Sequence, residues 1–133
     1  MALDGSIEIA WGGDLRLFRL PIAQLLALEE KRDLAVAVIH ARLMRAEYAV
    51  ADVTETLRLG LMGAGVDARE AGRLVETHCG SGQIEAGSVV AFYVLTAALD
   101  APKALVLAGK AQAGTDETEA SAFPSPPSTA PQP

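Results

Sequence analysis

Gly60, Gly63 and Gly65 stand close enough to suggest a loop that cradles phosphate, as bare backbone amides do when they face an anion. The context is wrong. A dinucleotide-binding turn follows a strand and opens a helix, whereas these glycines close one. Gly80-Ser81-Gly82 is likewise no nucleophile elbow, which needs Gly-x-Ser-x-Gly between a strand and a helix, and Ser81 reads as a helix cap. His78 and Cys79 are neighbours, so on a helix their side chains point about 100° apart, and His40 lies in another element. A metal or thiol site would need all three to converge, with no second ligand at helical spacing to begin it. Glu29-Glu30-Lys31-Arg32 is a mixed charge run at a solvated helix end rather than an acid and base pair. Arg42, Arg45, Arg58, Arg69 and Arg73 are scattered among acids and make no basic stripe. No catalytic, cofactor-binding or metal-binding residue emerges, so the expectation is a protein that is not an enzyme and uses no cofactor.

The elements that would carry any such residues follow from composition and spacing. A chain of 133 residues has room for one core. Half of it is apolar but only 5% aromatic, and Ala, Leu and Val dominate, which favours helices over a sandwich. Eleven basic against seventeen acidic side chains leave a charge of −6, which repels nucleic-acid phosphates and excludes a DNA-coating role. The single Cys79 makes no internal disulfide, in keeping with a reducing cytoplasm. The first residues lack a basic, apolar leader, and the most apolar window, Val89 to Leu99, is too short to span a bilayer.

Ile7, Ile9 and Trp11 alternate with Ser6, Glu8 and Ala10, and Leu15, Leu17 and Arg19 are set against Arg16, Phe18 and Leu20, with Gly12-Gly13-Asp14 between. This predicts a two-stranded hairpin whose apolar face must lie on helices. A first helix is expected from about Pro21 to Lys31, and a second, capped by Asp33, to about Arg45. Asp52-x-x-Glu55 and Asp67-x-x-Glu70 read as capping boxes opening helices three and four. Gly63 and Gly65 close helix three, one of them in the left-handed region, and Gly80 or Gly82 closes helix four. A fifth helix runs from about Gln83 to Leu99. The expected class is therefore α+β, mainly α: a two-stranded hairpin packed on about five short helices over residues 1–100. Residues 101–133, rich in Pro, Ala and Ser, are expected to form a disordered tail, with Phe123 to Pro127 either plain tail or a short recognition segment.

Three segments carry a resemblance. Arg19 to Glu29 resembles the strand-to-helix passage of small proteins encoded among the tail genes of gene transfer agents and related phages. Asp52 to Gly65 is similar to that family's most recognisable stretch, a capped helix closing on a Gly-rich turn, with Ala64 where another glycine is expected. Ala71 to Val75, followed by an apolar last helix, is similar too. The resemblance covers about residues 6–100. It implies a non-enzymatic tail assembly chaperone that binds the tape measure protein and tail tube protein in the bacterial cytoplasm, or else a structural tail tube protein retained in the particle. Neither role involves nucleic acid or membrane. A chaperone needs exposed apolar surface, and the fifth helix, apolar nearly all round, is either central or exposed on one side. If one side is exposed, the candidate partner-binding stripe is Val90, Tyr93, Val94 and Ala97.

Overall fold

Gly12 and Gly13 both take positive φ, 65° and 84°, the turn whose twist lets two strands fold back on each other. In the structure, a computed structural model that describes residues 3–109, they join β1 (Ile7–Trp11) to β2 (Asp14–Phe18). The strands are antiparallel, with Trp11 opposite Asp14 and Ile7 opposite Phe18. That register places Ile7, Ile9, Trp11 and Phe18 on one face, where Trp11 and Phe18 are buried edge to face at 5.9 Å. Leu15 and Leu17 turn to the opposite face and are exposed.

Among the described residues six helices follow: α1 (Ile22–Arg32), α2 (Val36–Met44), α3 (Val50–Gly63), α4 (Ala68–His78), α5 (Ile84–Leu99) and α6 over residues 101–109. The architecture is the expected hairpin on a mainly helical bundle, with α3 as its hub, touching α1, α2, α4, α5 and β2. Phe18, Leu28, Ile39, Val53, Leu57, Leu61, Val94 and Leu95 form the centre of the core.

The glycines of α3 explain how the hairpin joins this hub. A Cβ on Gly63 would lie 1.9 Å from the Arg19 carbonyl oxygen and 2.8 Å from Pro21 Cδ. One turn earlier, the Gly60 carbonyl accepts a 2.9 Å hydrogen bond from the Arg19 amide. The link from β2 to α1 thus lies directly on the backbone of α3, which only residues without side chains permit. Gly65 does the other job. It holds φ +105°, its amide donates to Met62 O, and the Val66 amide donates to Leu61 O, so the last carbonyls of α3 are satisfied by a Schellman turn. The two glycines are therefore not interchangeable: Gly65 is held by conformation and Gly63 by crowding.

The structure corrects several local expectations. α3 begins at Val50, two residues before Asp52, so Asp52 occupies the third helical position and its carboxylate accepts from the Ala49 amide at 2.8 Å. Ala49 has no side-chain acceptor, so only the return half of a capping box exists, and Glu55 pairs with Arg58 instead. At α4, Asp67 caps by accepting from the Glu70 amide at 3.2 Å, while the Glu70 carboxylate is taken by Arg73. Asp33 does not open α2. It sits in the left-handed region (φ 55°) at the end of α1, and the first free amide of α2, at Val36, is met by the Glu29 carboxylate at 2.9 Å. Ser81 makes no cap; the Gly80 amide donates to the Gln83 side chain.

Residues 101–109 were expected to begin a disordered tail. They are helical, because Asp100 accepts from the Lys103 amide at 3.1 Å and Pro102 sits in the first turn, where its missing donor costs nothing. Ala104 is buried against the domain. The Phe123 to Pro127 segment lies outside the described residues.

Candidate functional site

The four residues of the expected docking stripe part company in the structure. Val90, Val94 and Ala97 are buried, and only Tyr93 remains partly exposed. The reason is the number of neighbours: α5 lies against α3 on one side and against α2 and β1 on others. Two glycines bring α3 and α5 close. A Cβ on Gly60 would meet Val94 Cγ1 at 3.1 Å, and one on Gly87 would meet Cys79 Sγ at 3.1 Å and Val53 Cγ1 at 3.3 Å. Val90, Val94 and Ala97 are core, Tyr93 stays at the surface, and the outward side of α5 is one carried by Val89, which is 53% exposed.

Around Val89 the surface forms a groove of about 300 Å³ between α5 and the end of α2. Val89, Phe92 and Tyr93 make one wall, and Met44, Ala46 and Tyr48 the other, with Glu85 at the rim. Met44 is 61% exposed. Aromatic rings and a thioether in a shallow apolar channel suit the burial of a partner's aliphatic side chains. The far wall is shaped by a Schellman turn in which Ala46 takes φ 57°, its amide donating to Leu43 O and that of Glu47 to Arg42 O.

The floor is fixed by an aromatic stack. His40 lies parallel to Phe92 at 5.1 Å, and Tyr93 meets Phe92 edge to face at 5.5 Å. The Thr96 hydroxyl donates to Phe92 O at 2.8 Å, so its oxygen is left to accept from His40 Nε2, also at 2.8 Å. Burial, with Lys103 of α6 adding to it, holds the His40 pKa below that of a free histidine.

α2 is held in place by a buried charge that sequence reasoning read only as a cap. Asp52 is 0% exposed and accepts from Arg32 Nε of α1 at 2.8 Å, while Arg42 Nε of α2 stands 3.2 Å from its other oxygen. One carboxylate therefore joins the end of α1, the middle of α2 and the start of α3. No local signal announces this, since Arg32 and Arg42 lie twenty and ten residues upstream, and a buried carboxylate finds cations by tertiary proximity.

His40, His78 and Cys79 serve packing separately. His78 meets Trp11 edge to face at 5.4 Å, and burial raises the Cys79 pKa, which keeps the thiol protonated. Among the described residues no three His, Cys, Asp or Glu side chains gather as metal ligands would, and no helix is long and apolar enough to cross a membrane. A second, larger groove of about 400 Å³ lies between the hairpin and α6, lined by Leu3, Ile7, Leu17, Ala97, Ala104 and Leu105. It adjoins both ends of the described chain, whereas the α2–α5 groove is walled by described elements on each side.

Comparison with known proteins adds one finding. The family model described as phage tail tube protein, GTA-gp10, matches residues 4–101. The chain belongs to this family. The match runs from the hairpin through α5, the whole of the unit built around α3, and so takes in the Gly60 to Gly65 stretch that seats the hairpin and ends α3. No curated protein and no solved structure matches the chain. The family places the protein among the tail proteins of gene transfer agents and phages, and a role in contact with other tail proteins follows from that membership.

Proposed function

We propose that this member of the tail tube family acts as a tail assembly chaperone, holding a helical segment of the tape measure protein in the α2–α5 groove until tube subunits assemble. The observation that carries this reading is the apolar channel between Met44 of α2 and Val89 and Tyr93 of α5, a helix otherwise given to the core. A helix presenting apolar residues three and four apart would bury them there, and the charge of −6 keeps such a surface soluble. Hairpin strands of five residues also favour a chaperone over a tube subunit, which needs long strands pairing between protomers. The role asks for no catalytic residue or cofactor, and it places the protein in the host cytoplasm.

The family's description favours the second reading, a tube or tail completion protein that stays in the particle. Co-expression separates the two. A chaperone raises the soluble yield of the tape measure protein and is nearly absent from purified particles, whereas a tube protein is present there stoichiometrically. Val89→Asp combined with Met44→Asp, both at exposed positions, should leave the fold intact and abolish the gain in yield. An unchanged yield with the double variant would remove the groove from the account, and stoichiometric presence in particles would remove the chaperone.

A further inference from the structure

We propose that the protein self-associates through the outer edge of β2, by a two-fold antiparallel pairing of that strand with its equivalent in a second copy, centred on Leu15. With a two-residue loop and Trp11 opposite Asp14, the pair closing the hairpin is a hydrogen-bonded one. Asp14, Arg16 and Phe18 therefore direct their backbone groups at β1, and Leu15 and Leu17 direct theirs away from it. Among the described residues the sheet has two strands only, so this edge has no strand beside it. Arg19, next in the alternation, already gives its amide to Gly60 O of α3, which limits the open edge to the stretch before it. Leu15 and Leu17 are also exposed, at 65% and 45%, on the hairpin face opposite Trp11 and Phe18, with Leu17 at the edge of the groove beside α6.

An open edge with apolar side chains invites pairing, and the charges on β2 decide with what and in which register. When two copies pair antiparallel about Leu15, the two Leu15 residues exchange both backbone hydrogen bonds. Asp14 of each copy then stands directly opposite Arg16 of the other. These are positions of the closely approaching, non-hydrogen-bonded type, where opposite charges stabilise and like charges destabilise. The ion pair Asp14 and Arg16 make within one strand, 3.4 Å long, thus has a reciprocal alternative across the two-fold axis. Neighbouring registers fail on the same ground. Centring on Asp14 opposes two carboxylates, centring on Arg16 opposes two guanidinium groups, and centring on Leu17 requires the Arg19 edge that α3 covers. The strand is complementary to itself in one register.

A single short strand pair buries little area, so the dimer belongs with weak, concentration-dependent interfaces. Sedimentation velocity on the full 133-residue chain, from about 5 µM to about 1 mM, should show a monomer passing to a dimer. Asp14→Arg alone and Arg16→Asp alone each place like charges opposite one another twice, and each should weaken dimerisation about tenfold or more. Mixed in equal amounts, the two variants restore both opposite-charge pairs in the heterodimer, and association should return to within about threefold of the unmodified protein. Arg16 Nε also donates to Trp11 O at 3.1 Å, so circular dichroism must show that Arg16→Asp is folded. If it is not, Leu15→Lys, at an exposed position, carries the test and must abolish the dimer. A monomer throughout the range, single variants that dimerise normally, or a mixture that fails to recover would each overturn the proposal.

Discussion

Replacing Gly63 by Ala should destabilise the protein, although Gly→Ala within a helix ordinarily stabilises it by up to about 1 kcal/mol. The added Cβ would stand 1.9 Å from the Arg19 carbonyl oxygen and 2.9 Å from its carbon, both backbone atoms. The link and α3 must separate by about 1.3 Å to reach even a tight contact, in an interior packed as densely as a crystal. Overpacking of this kind costs about 1–3 kcal/mol. The retreat also stretches the 2.9 Å hydrogen bond from the Arg19 amide to Gly60 O, at a cost of about 1 kcal/mol. Against a propensity gain reduced at the last helical position, the net loss is about 2–3 kcal/mol. Two controls bracket it. Gly72, within α4, has open space around its Cβ position, so Gly72→Ala should stabilise by about 0.5–1 kcal/mol. Gly65 also has open space but φ +105°, and Gly65→Ala should cost about 1 kcal/mol through backbone strain alone. Urea unfolding of the three variants gives the order directly. If Gly63→Ala matches the unmodified protein, or is better tolerated than Gly65→Ala, the link does not rest on α3 as described.

Asp52→Ala should cost about 2–4 kcal/mol in urea unfolding, because it leaves Arg32 and Arg42 without their shared carboxylate, with part of the loss recovered as those partly exposed side chains turn to water; a loss under about 0.5 kcal/mol would show that the charge cluster does not hold α2. Ala46→Gly should raise the melting temperature, since relief of the left-handed φ of 57° outweighs the added freedom of the unfolded chain by about 0.5–1 kcal/mol; an unchanged or lower temperature contradicts that backbone assignment. His40 has a folded pKa below its unfolded one, so the unfolded state binds the extra proton, and stability present above about pH 6.5 declines as the pH falls through that value toward the lower folded pKa. His40→Gln should flatten the decline between about pH 7 and pH 5, and a persisting slope of equal size would assign it to another group.

The local features were legible where one residue's own chemistry decides the backbone. Period-two apolar residues around Gly12-Gly13 define the hairpin because paired glycines take positive φ freely, and Asp67 caps α4 because its carboxylate reaches an amide three residues on. α6 was also within reach, since Asp100 and Pro102 form a helix start, but the Pro-rich residues beyond drew the whole segment into a tail. Three matters were decided only by the fold. The direction in which α5 faces outward could not be read from a helix apolar on every side, because hydrophobicity without asymmetry has no direction; α3, α2 and β1 together selected Val89 and left Val90, Val94 and Ala97 to the core. The partners of Asp52 depend on how α1 and α2 cross α3, and electrostatic attraction acts through space, not along the chain. The demand for glycine at position 63 comes from a carbonyl forty-four residues earlier, a steric constraint that exists only once the link between β2 and α1 lies across α3.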